Sequence, residues 1–109
     1  MKIRYATKGE YISYSENGSV IVFERGLSLD CKAFQRGEDV TLNLYAGHNG
    51  APTFDPGDWY LAQIKIPAKS FRLWEDGSDL GLGFRRVIKT EEPLNMENVV
   101  LTLWAKEAE

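Results

Sequence analysis

The chain has 109 residues, which is enough for one domain with a two-layer core but too few for two cores. Hydrophobic residues make up 43% and charged residues 27%, the composition of an ordinary globular domain, and 12% aromatic residues suits a β-rich core. The formal net charge of −3 disfavours a general nucleic-acid binder, which is normally basic.

Cysteine content and the length of apolar runs argue against two further classes. Cys31 is the only cysteine, so the chain forms no intramolecular disulfide, although small secreted domains usually need such cross-links. The N-terminal residues contain no apolar stretch of signal-peptide length, and the longest aliphatic or aromatic run, Val20–Phe23, is too short to span a bilayer. We therefore expect no membrane contact and a location in the cytoplasm, or in a particle assembled there.

The N-terminal part of the chain predicts short strands joined by turns. Lys2–Thr7 alternates with a period of two, the pattern of a strand. Tyr11–Tyr14 and Val20–Arg25 flank Asn17-Gly18. Asn-Gly is the strongest short hairpin signal, because both central residues of a type I′ turn need positive φ. A hairpin centred on Asn17-Gly18 is therefore predicted.

The next segment predicts two more strands. Leu27–Cys31 alternates between apolar and polar residues, which places Cys31 in the core as a buried, unreactive thiol. Ala33–Gly37 predicts a turn or a single helical turn. Val40–Tyr45 then alternates cleanly between an apolar face and a polar face, as an amphipathic strand does.

The middle of the chain is a long loop that leads into an apolar strand. Residues 47–58 contain three glycines, two prolines and the only histidine, and long loops on rigid scaffolds often carry function. Trp59–Ile66 is apolar on both faces at its start, which predicts a central strand covered on both sides. Pro67 is expected to end it.

The last third predicts a second hairpin and a final strand. Phe71–Trp74 continues the alternation, and Asp76-Gly77 predicts a turn. The alternation from Leu80 breaks at Arg85-Arg86, where a bulge would restore the register. After a helical turn near residues 94–97, Val99–Trp104 alternates as the last strand.

Together these signals predict an all-β fold. No window of a dozen residues has sustained helical periodicity, and strand signals recur every 8–12 residues with turn chemistry between them. The expected architecture is a single domain over residues 1–109, an antiparallel β-sandwich of immunoglobulin-like or jelly-roll type with seven or eight strands. A small β-barrel is the second choice.

The polar residues of the loop, His48, Asn49, Asp55 and Asp58, are its candidate functional residues. A catalytic triad or Cys–His pair would have to use His48, but no nucleophile motif accompanies it. Asp55 and Asp58 could hold a hard cation such as calcium, but their spacing fits no calcium loop and Asp-Pro-Gly-Asp is ordinary turn chemistry. We therefore predict no catalytic residue, no metal site and no cofactor.

A basic stretch offers a different candidate site. Residues 65–89 carry six cations against three carboxylates, a net of +3, so the rest of the chain nets −6; the cations are Lys65, Lys69, Arg72, Arg85, Arg86 and Lys89. If residues 66–74 pair with residues 80–88, these cations could share one sheet face near Trp74, the best candidate for an exposed aromatic residue. The alternative is a solvated face with cross-strand ion pairs.

The leading functional hypothesis is a non-enzymatic protein-binding or assembly module, such as a structural accessory of a phage particle. It rests on the lack of a catalytic or cofactor motif and on strand edges and surfaces suited to assembly. The second hypothesis is a small inhibitor that blocks a host or partner protein with an acidic face. The third is a carbohydrate-binding domain that uses Trp74 and the loop. The partner is thus a protein or a second copy, with carbohydrate as the open alternative and nucleic acid disfavoured.

Overall fold

The computed structural model describes residues 1–57, 59–81 and 83–106, with the backbone alone at 76 and 78–80. The described residues form strands β1 (Lys2–Tyr5), β2 (Tyr14–Asn17), β3 (Val20–Phe23), β4 (Ser28–Asp30), β5 (Val40–Ala46), β6 (Pro52–Thr53), β7 (Trp59–Ile66), β8 (Phe71–Gly81), β9 (Phe84–Glu91) and β10 (Val100–Leu103). In the part of the chain that the structure describes, helical structure is limited to α1 (Cys31–Phe34) and to 3-10 turns at Glu24–Gly26 and Met96–Asn98. None of the described helices has the length and apolar character needed to cross a membrane.

The largest sheet has five strands in the order β1-β10-β7-β5-β6. β7 lies in the middle and pairs antiparallel with β10 and with β5, which confirms the prediction that Trp59–Ile66 is a central strand. The prediction that this strand is covered on both sides was wrong, because Tyr60 and Lys65 are exposed on the face away from the core. The N-terminal part of β7 contains a β-bulge. Leu44 pairs with Ala62 and Tyr45 pairs with Tyr60, so Leu61 is an extra residue with no partner on β5. One pair departs from the expected antiparallel pattern, because β1 runs parallel to β10.

A second sheet, in the order β2-β3-β4, shares its core with the first. The buried side chains of both sheets form one cluster, which includes Ile12, Ile21, Phe23, Leu29, Cys31, Leu44, Ile64, Ile66, Leu101 and Leu103. In β3, β5 and β10 the buried residues alternate with less buried ones, as the period of two requires. The prediction of an all-β fold is confirmed. The described strands form three separate sheets and no closed barrel, so the second-choice architecture was wrong.

The predicted hairpin near Asn17 exists, but its turn is one residue further along. Asn17 pairs with Val20, so Gly18 and Ser19 are the central residues. Gly18 has φ +60°, whereas Asn17 is not in the left-handed region. The glycine therefore supplies the positive φ at the first central position, and the asparagine ends β2.

The predicted turn at Asp76-Gly77 was wrong. β8 continues through these residues to Gly81, and the chain reverses before β9 begins at Phe84. Gly77, with φ +84°, lies where the register shifts between the pairs Glu75–Val87 and Asp79–Arg85. The irregularity expected at Arg85-Arg86 is therefore present, but the extra residues belong to β8.

β8 and β9 form the third sheet, and we call this hairpin, Phe71–Glu91, the arm. Both strands pair only with each other among the described residues. The molecule measures 73 × 22 × 21 Å with a radius of gyration of 19.3 Å, whereas a compact domain of this length has about 13 Å. An eleven-residue strand such as β8 spans roughly 37 Å, so a projecting arm accounts for the elongation.

Candidate functional site: the arm and the free edge of β5

The register of the arm divides its side chains between two faces. Residues opposite each other in an antiparallel pair share a face, and neighbours along a strand alternate. One face carries Phe71, Leu73 and Glu75 from β8 and Arg85, Val87, Lys89 and Glu91 from β9. The other carries Arg72 and Trp74 from β8 and Phe84, Arg86, Ile88 and Thr90 from β9. Each face thus mixes apolar residues with cations.

Large apolar side chains are exposed on both faces of the arm. Leu73 is 66% exposed and Phe84 65%, and Val87, Trp74 and Phe71 are also exposed. Single exposed apolar residues are normal, but five on one two-stranded ribbon, three on one face and two on the other, are an unusual concentration. Nothing in the described part of the chain packs over them, so the arm lacks the core that stabilises the two larger sheets.

A few polar contacts hold the arm together. The indole Nε1 of Trp74 donates to Thr90 Oγ1 at 3.1 Å, and Lys89 Nζ lies 4.1 Å from the centre of the Phe71 ring. Arg85 Nη1 is 4.0 Å from Glu75 Oε2, but both side chains are more than half exposed, so this ion pair contributes little. The arm is therefore ordered by its ladder and by cross-strand side-chain pairs.

The base of the arm is anchored to the body. Lys69 N donates to Arg36 O at 2.7 Å, and Glu92 N donates to Ser70 O at 2.9 Å. Lys69 Nζ also pairs with Glu91 Oε1 at 3.1 Å. The first contact ties the base of the arm to the body, and the other two join the segments that lead into and out of the arm.

The structure separates the predicted basic residues. Arg72, Trp74 and Arg86 share one face of the arm, while Arg85 lies on the opposite face. Lys69 is at the base of the arm. Lys65 belongs to β7, on the face of the five-stranded sheet away from the core, because its neighbours along the strand are buried. The six cations therefore do not share one sheet face. Trp74 is exposed as predicted, at 44%.

The loop residues occupy turns. His48 and Asn49 are exposed in the turn after β5, where Asn49 Oδ1 accepts from Ala51 N at 3.0 Å. Asp55 is exposed, and its backbone N–H donates to Thr53 Oγ1 at 3.1 Å. Asp58 lies outside the described residues. Within the described ranges, no group of three or more His, Cys, Asp or Glu side chains is placed to hold a metal ion.

Cys31 is fully buried at the start of α1, as the alternation predicted. Burial raises the pKa of its thiol from 9.0 to about 11, and the nearby carboxylate of Asp30 adds to the effect. A buried neutral thiol is a poor nucleophile. The geometry therefore gives Cys31 a packing role.

The first part of β5 has a strand partner on one side only. Among the described residues, β6 pairs just with Tyr45 and Ala46, so Val40–Leu44 pairs with β7 and has an open opposite edge. Gly47 N donates to Ala51 O at 2.9 Å, on the β6 side. The backbone N–H and C=O groups of every second residue in a strand point to the same side. Those of Thr41 and Asn43 therefore point to the same side as the N–H of Gly47, the side that is open beside Val40–Leu44.

A groove runs beside this open edge. It has a volume of about 270 Å³ and is lined by Phe34 from α1, by Thr41, Leu42, Asn43 and Tyr45 from β5, and by Phe54 and Pro56 from the loop. Phe34 and Phe54 are 40% and 36% exposed. Ligand pockets usually range from about 300 to 1,000 Å³, so this groove suits an inserted side chain better than a large ligand.

Sequence reasoning missed the groove because its walls come from three elements that are distant in the chain. It also missed an aromatic row on the face of the five-stranded sheet away from the core. There the ring of Tyr60 lies 5.0 Å from Tyr45 and 5.5 Å from Trp104. The strict alternation at Val40–Tyr45 was the one signal that placed Tyr45 on that face.

Comparison with known proteins found no similar chain: no protein-family model, no curated protein and no solved structure matches this one.

Proposed function

We propose that the protein is a non-enzymatic protein-binding and assembly module, and that its arm docks on a second copy of the chain. The observation that carries the proposal is the projection of a two-stranded ribbon whose apolar residues are exposed on both faces. The setting would be a large assembly such as a phage particle. We also propose that the five- and three-stranded sheets, which share one core, are the two layers of a β-sandwich.

The energetics of the arm favour a bound state. An isolated hairpin is marginally stable in water, because it buries too little apolar surface to offset its ordering entropy. The exposed side chains of Leu73, Phe84 and Val87 would each gain on the order of 1 kcal/mol or more by burial in an interface. A partner surface would therefore both order the arm and cover its apolar residues.

The distribution of charge supports a second copy as the partner. Residues 65–89 net +3, whereas the rest of the chain nets −6. The arm itself, Phe71–Glu91, has four cations and four carboxylates and no net charge, but three of its cations are on β9, and the body carries the net charge of −3. β9 of one molecule is therefore attracted to the body of another, while two bodies repel each other. This division favours a contact between unlike surfaces, arm to body.

The positions of His48 and Cys31, the candidate catalytic side chains, support a non-enzymatic role. His48 lies in an exposed turn, and Cys31 is buried as a neutral thiol. His48 belongs to the loop after β5, whereas Cys31 belongs to the core. The described acidic residues are mostly solvent-exposed, where a general acid with a raised pKa is not expected.

Light scattering coupled to size-exclusion chromatography tests the proposal. The wild-type chain is expected to form oligomers at increasing concentration, and L73E/V87E is expected to remain monomeric. The control S15E/N98E also adds two carboxylates, at exposed positions of the body, and should assemble like wild type. Circular dichroism confirms that each variant is folded.

A strictly monomeric wild-type chain over the whole concentration range would overturn self-assembly. In that case, stoichiometric capture of one acidic protein that depends on Leu73 and Val87 would support the inhibitor hypothesis instead. A change in tryptophan fluorescence with added oligosaccharide would favour the carbohydrate hypothesis. Each outcome thus selects a different partner class.

A further inference from the structure

We infer that the open edge of β5, with the adjacent groove, is the receptor for the arm, and that β9 of a second copy adds to this edge as an extra strand. This inference rests on the proposed self-assembly and names the two surfaces that meet. The groove would be filled by apolar side chains of the incoming strand. We call the open edge Val40–Leu44 and the groove together the acceptor site.

The backbone of the acceptor site is ready for strand addition. Thr41 and Asn43 direct their backbone N–H and C=O groups to the side that β6 leaves uncovered. An open strand edge of this kind is a template for another strand, and main-chain hydrogen bonds then supply affinity. Five residues, Val40–Leu44, span roughly 17 Å, which the eight residues of β9 can cover.

The side chains are complementary as well. Phe34 and Phe54 leave apolar surface exposed beside the edge, and β9 exposes Phe84 and Val87. In strand addition, alternate side chains of the incoming strand enter pockets next to the edge. A volume of about 270 Å³ is suited to one such side chain. Phe84 and Val87 lie on opposite faces of β9, so one of them fills the groove and the other lies on the opposite face of the extended sheet.

Charge favours β9 over β8 as the docking strand. β9 carries three cations and one carboxylate, whereas β8 carries one cation and three carboxylates. The acceptor site is flanked by the exposed acidic residues Glu38, Asp39 and Asp55. Two cations are also near: Arg36, whose Nη1 donates to the carbonyl oxygens of Ala33 and Gln35, and Lys65, which lies opposite Thr41 on β7. Three carboxylates against two cations leave one net negative charge beside the acceptor site. The acidic flank therefore attracts β9 and repels β8.

The resulting contact joins two different surfaces. A head-to-tail interface of this kind produces a ring when its rotation closes and an open filament when it does not. An exchange of arms between two copies would instead bury arm against arm and leave the acceptor site open. The two arrangements make opposite predictions for variants of the acceptor site.

Complementation between two variants tests the inference. T41P removes one N–H from the open edge, and proline is tolerated at such a position because this N–H has no backbone partner among the described residues. F54E places a charge in the groove and leaves the backbone intact. The arm variant L73E/V87E keeps an intact acceptor site. T41V, which retains the N–H, is the matched control for T41P.

The expected result is that T41P, F54E and L73E/V87E are each monomeric by light scattering, while T41V assembles like wild type. An equimolar mixture of F54E and L73E/V87E should form a heterodimer of one copy each, because one intact arm meets one intact acceptor site. Circular dichroism identifies any variant that fails to fold. If T41P does not fold, the oligomeric state of F54E tests the acceptor site in its place.

Other outcomes overturn the inference and remain distinguishable from failure of the proposed function. If the arm variant is monomeric but T41P and F54E assemble like wild type, the arm docks elsewhere and self-assembly stands. If the equimolar mixture stays monomeric, the acceptor site is not the receptor. A monomeric wild-type chain overturns both proposals.

Discussion

The indole Nε1 of Trp74 donates a hydrogen bond to Oγ1 of Thr90, 3.1 Å away, and so joins the two strands of the arm on one face. A hydrogen bond of this kind contributes about 1 kcal/mol to the stability of the folded state. The partial exposure of Trp74 places this bond at the lower end of the usual range. The variant T90V removes the acceptor and keeps the shape. We expect amide hydrogen exchange in the arm to speed up by about threefold, with the body unchanged, while T90S behaves like wild type. Equal exchange rates in T90V and wild type would mean that the contact does not order the arm.

The arm shows where the sequence was informative and where it was not. Exposure of Trp74 was predicted because that residue falls out of phase with its apolar neighbours. The reversal was misplaced because Asp76-Gly77 has the chemistry of a turn, yet the chain accommodates Gly77 in a bulge of β8. Turn propensity is local, whereas register depends on how two strands pair along their whole length. That pairing also decided which cations share a face.

The ion pair between Lys106 and Glu24 predicts a pH-dependent contribution to stability. Lys106 Nζ lies 2.6 Å from Glu24 Oε1, and this hydrogen bond is the main cause that holds the pKa of Glu24 below its ordinary value of 4.5. A lowered pKa in the folded state means that the unfolded chain takes up the proton first as the pH falls. The contribution is therefore complete above about pH 5 and is lost as the pH falls through the folded-state pKa.

A double-mutant cycle of E24Q and K106Q measures this contribution from urea midpoints. The side chains are 25% and 39% exposed, so solvent screening limits the coupling energy to about 0.5–1 kcal/mol near neutral pH. It should fall in strongly acidic solution, at a pH below the lowered pKa of Glu24, where the carboxylate takes up a proton. A coupling energy that is equal at both pH values would show that the two residues do not interact as an ion pair.

Burial predicts that the Cys31 thiol is protected from reagents. With a pKa of about 11 rather than 9.0, the thiolate fraction near pH 8 falls by about a hundredfold, and burial blocks access as well. Alkylation by iodoacetamide should therefore be at least about a hundredfold slower in the folded chain than in urea. Comparable rates in the two states would mean that the start of α1 opens readily.

The acceptor site was beyond sequence reasoning for a physical reason. The amphipathic pattern of Val40–Tyr45 predicts a strand, but a strand's pattern does not say which of its edges is paired. The open edge arises because β6 has only two residues, Pro52 and Thr53, and the pattern of the loop gave no sign of so short a strand. Phe34 and Phe54 then meet across the groove only because α1 and the loop flank the same edge. Long-range placement of this kind needs the assembled fold.

The charge division predicts that assembly is sensitive to salt. Attraction between the basic β9 and the acidic body acts between exposed groups, so it is screened at separations beyond the Debye length, which falls from about 10 Å at 0.1 M to about 3 Å at 1 M. The dissociation constant from light scattering or ultracentrifugation should therefore rise by about tenfold over this range. The double neutralisation R85Q/R86Q, which leaves β9 without net charge, should abolish this dependence. An affinity that increases with salt would indicate that apolar burial alone determines the contact.

Close approach of the loop to β5 predicts an intolerant glycine. A Cβ at Gly57 would lie 2.3 Å from the carbonyl oxygen of Ala46 and 3.0 Å from its carbon, so the backbone of the loop or of β5 must move. Because the obstacle is backbone, G57A should cost about 2 kcal/mol or more of the free energy of unfolding. The matched control is G37A, since Gly37 has no atom within 4 Å of the added Cβ and no positive φ. G37A should be neutral or slightly stabilising, because it restricts the unfolded chain. Urea denaturation of both variants measures the difference, and equal midpoints would show that the loop relaxes away from β5 without cost.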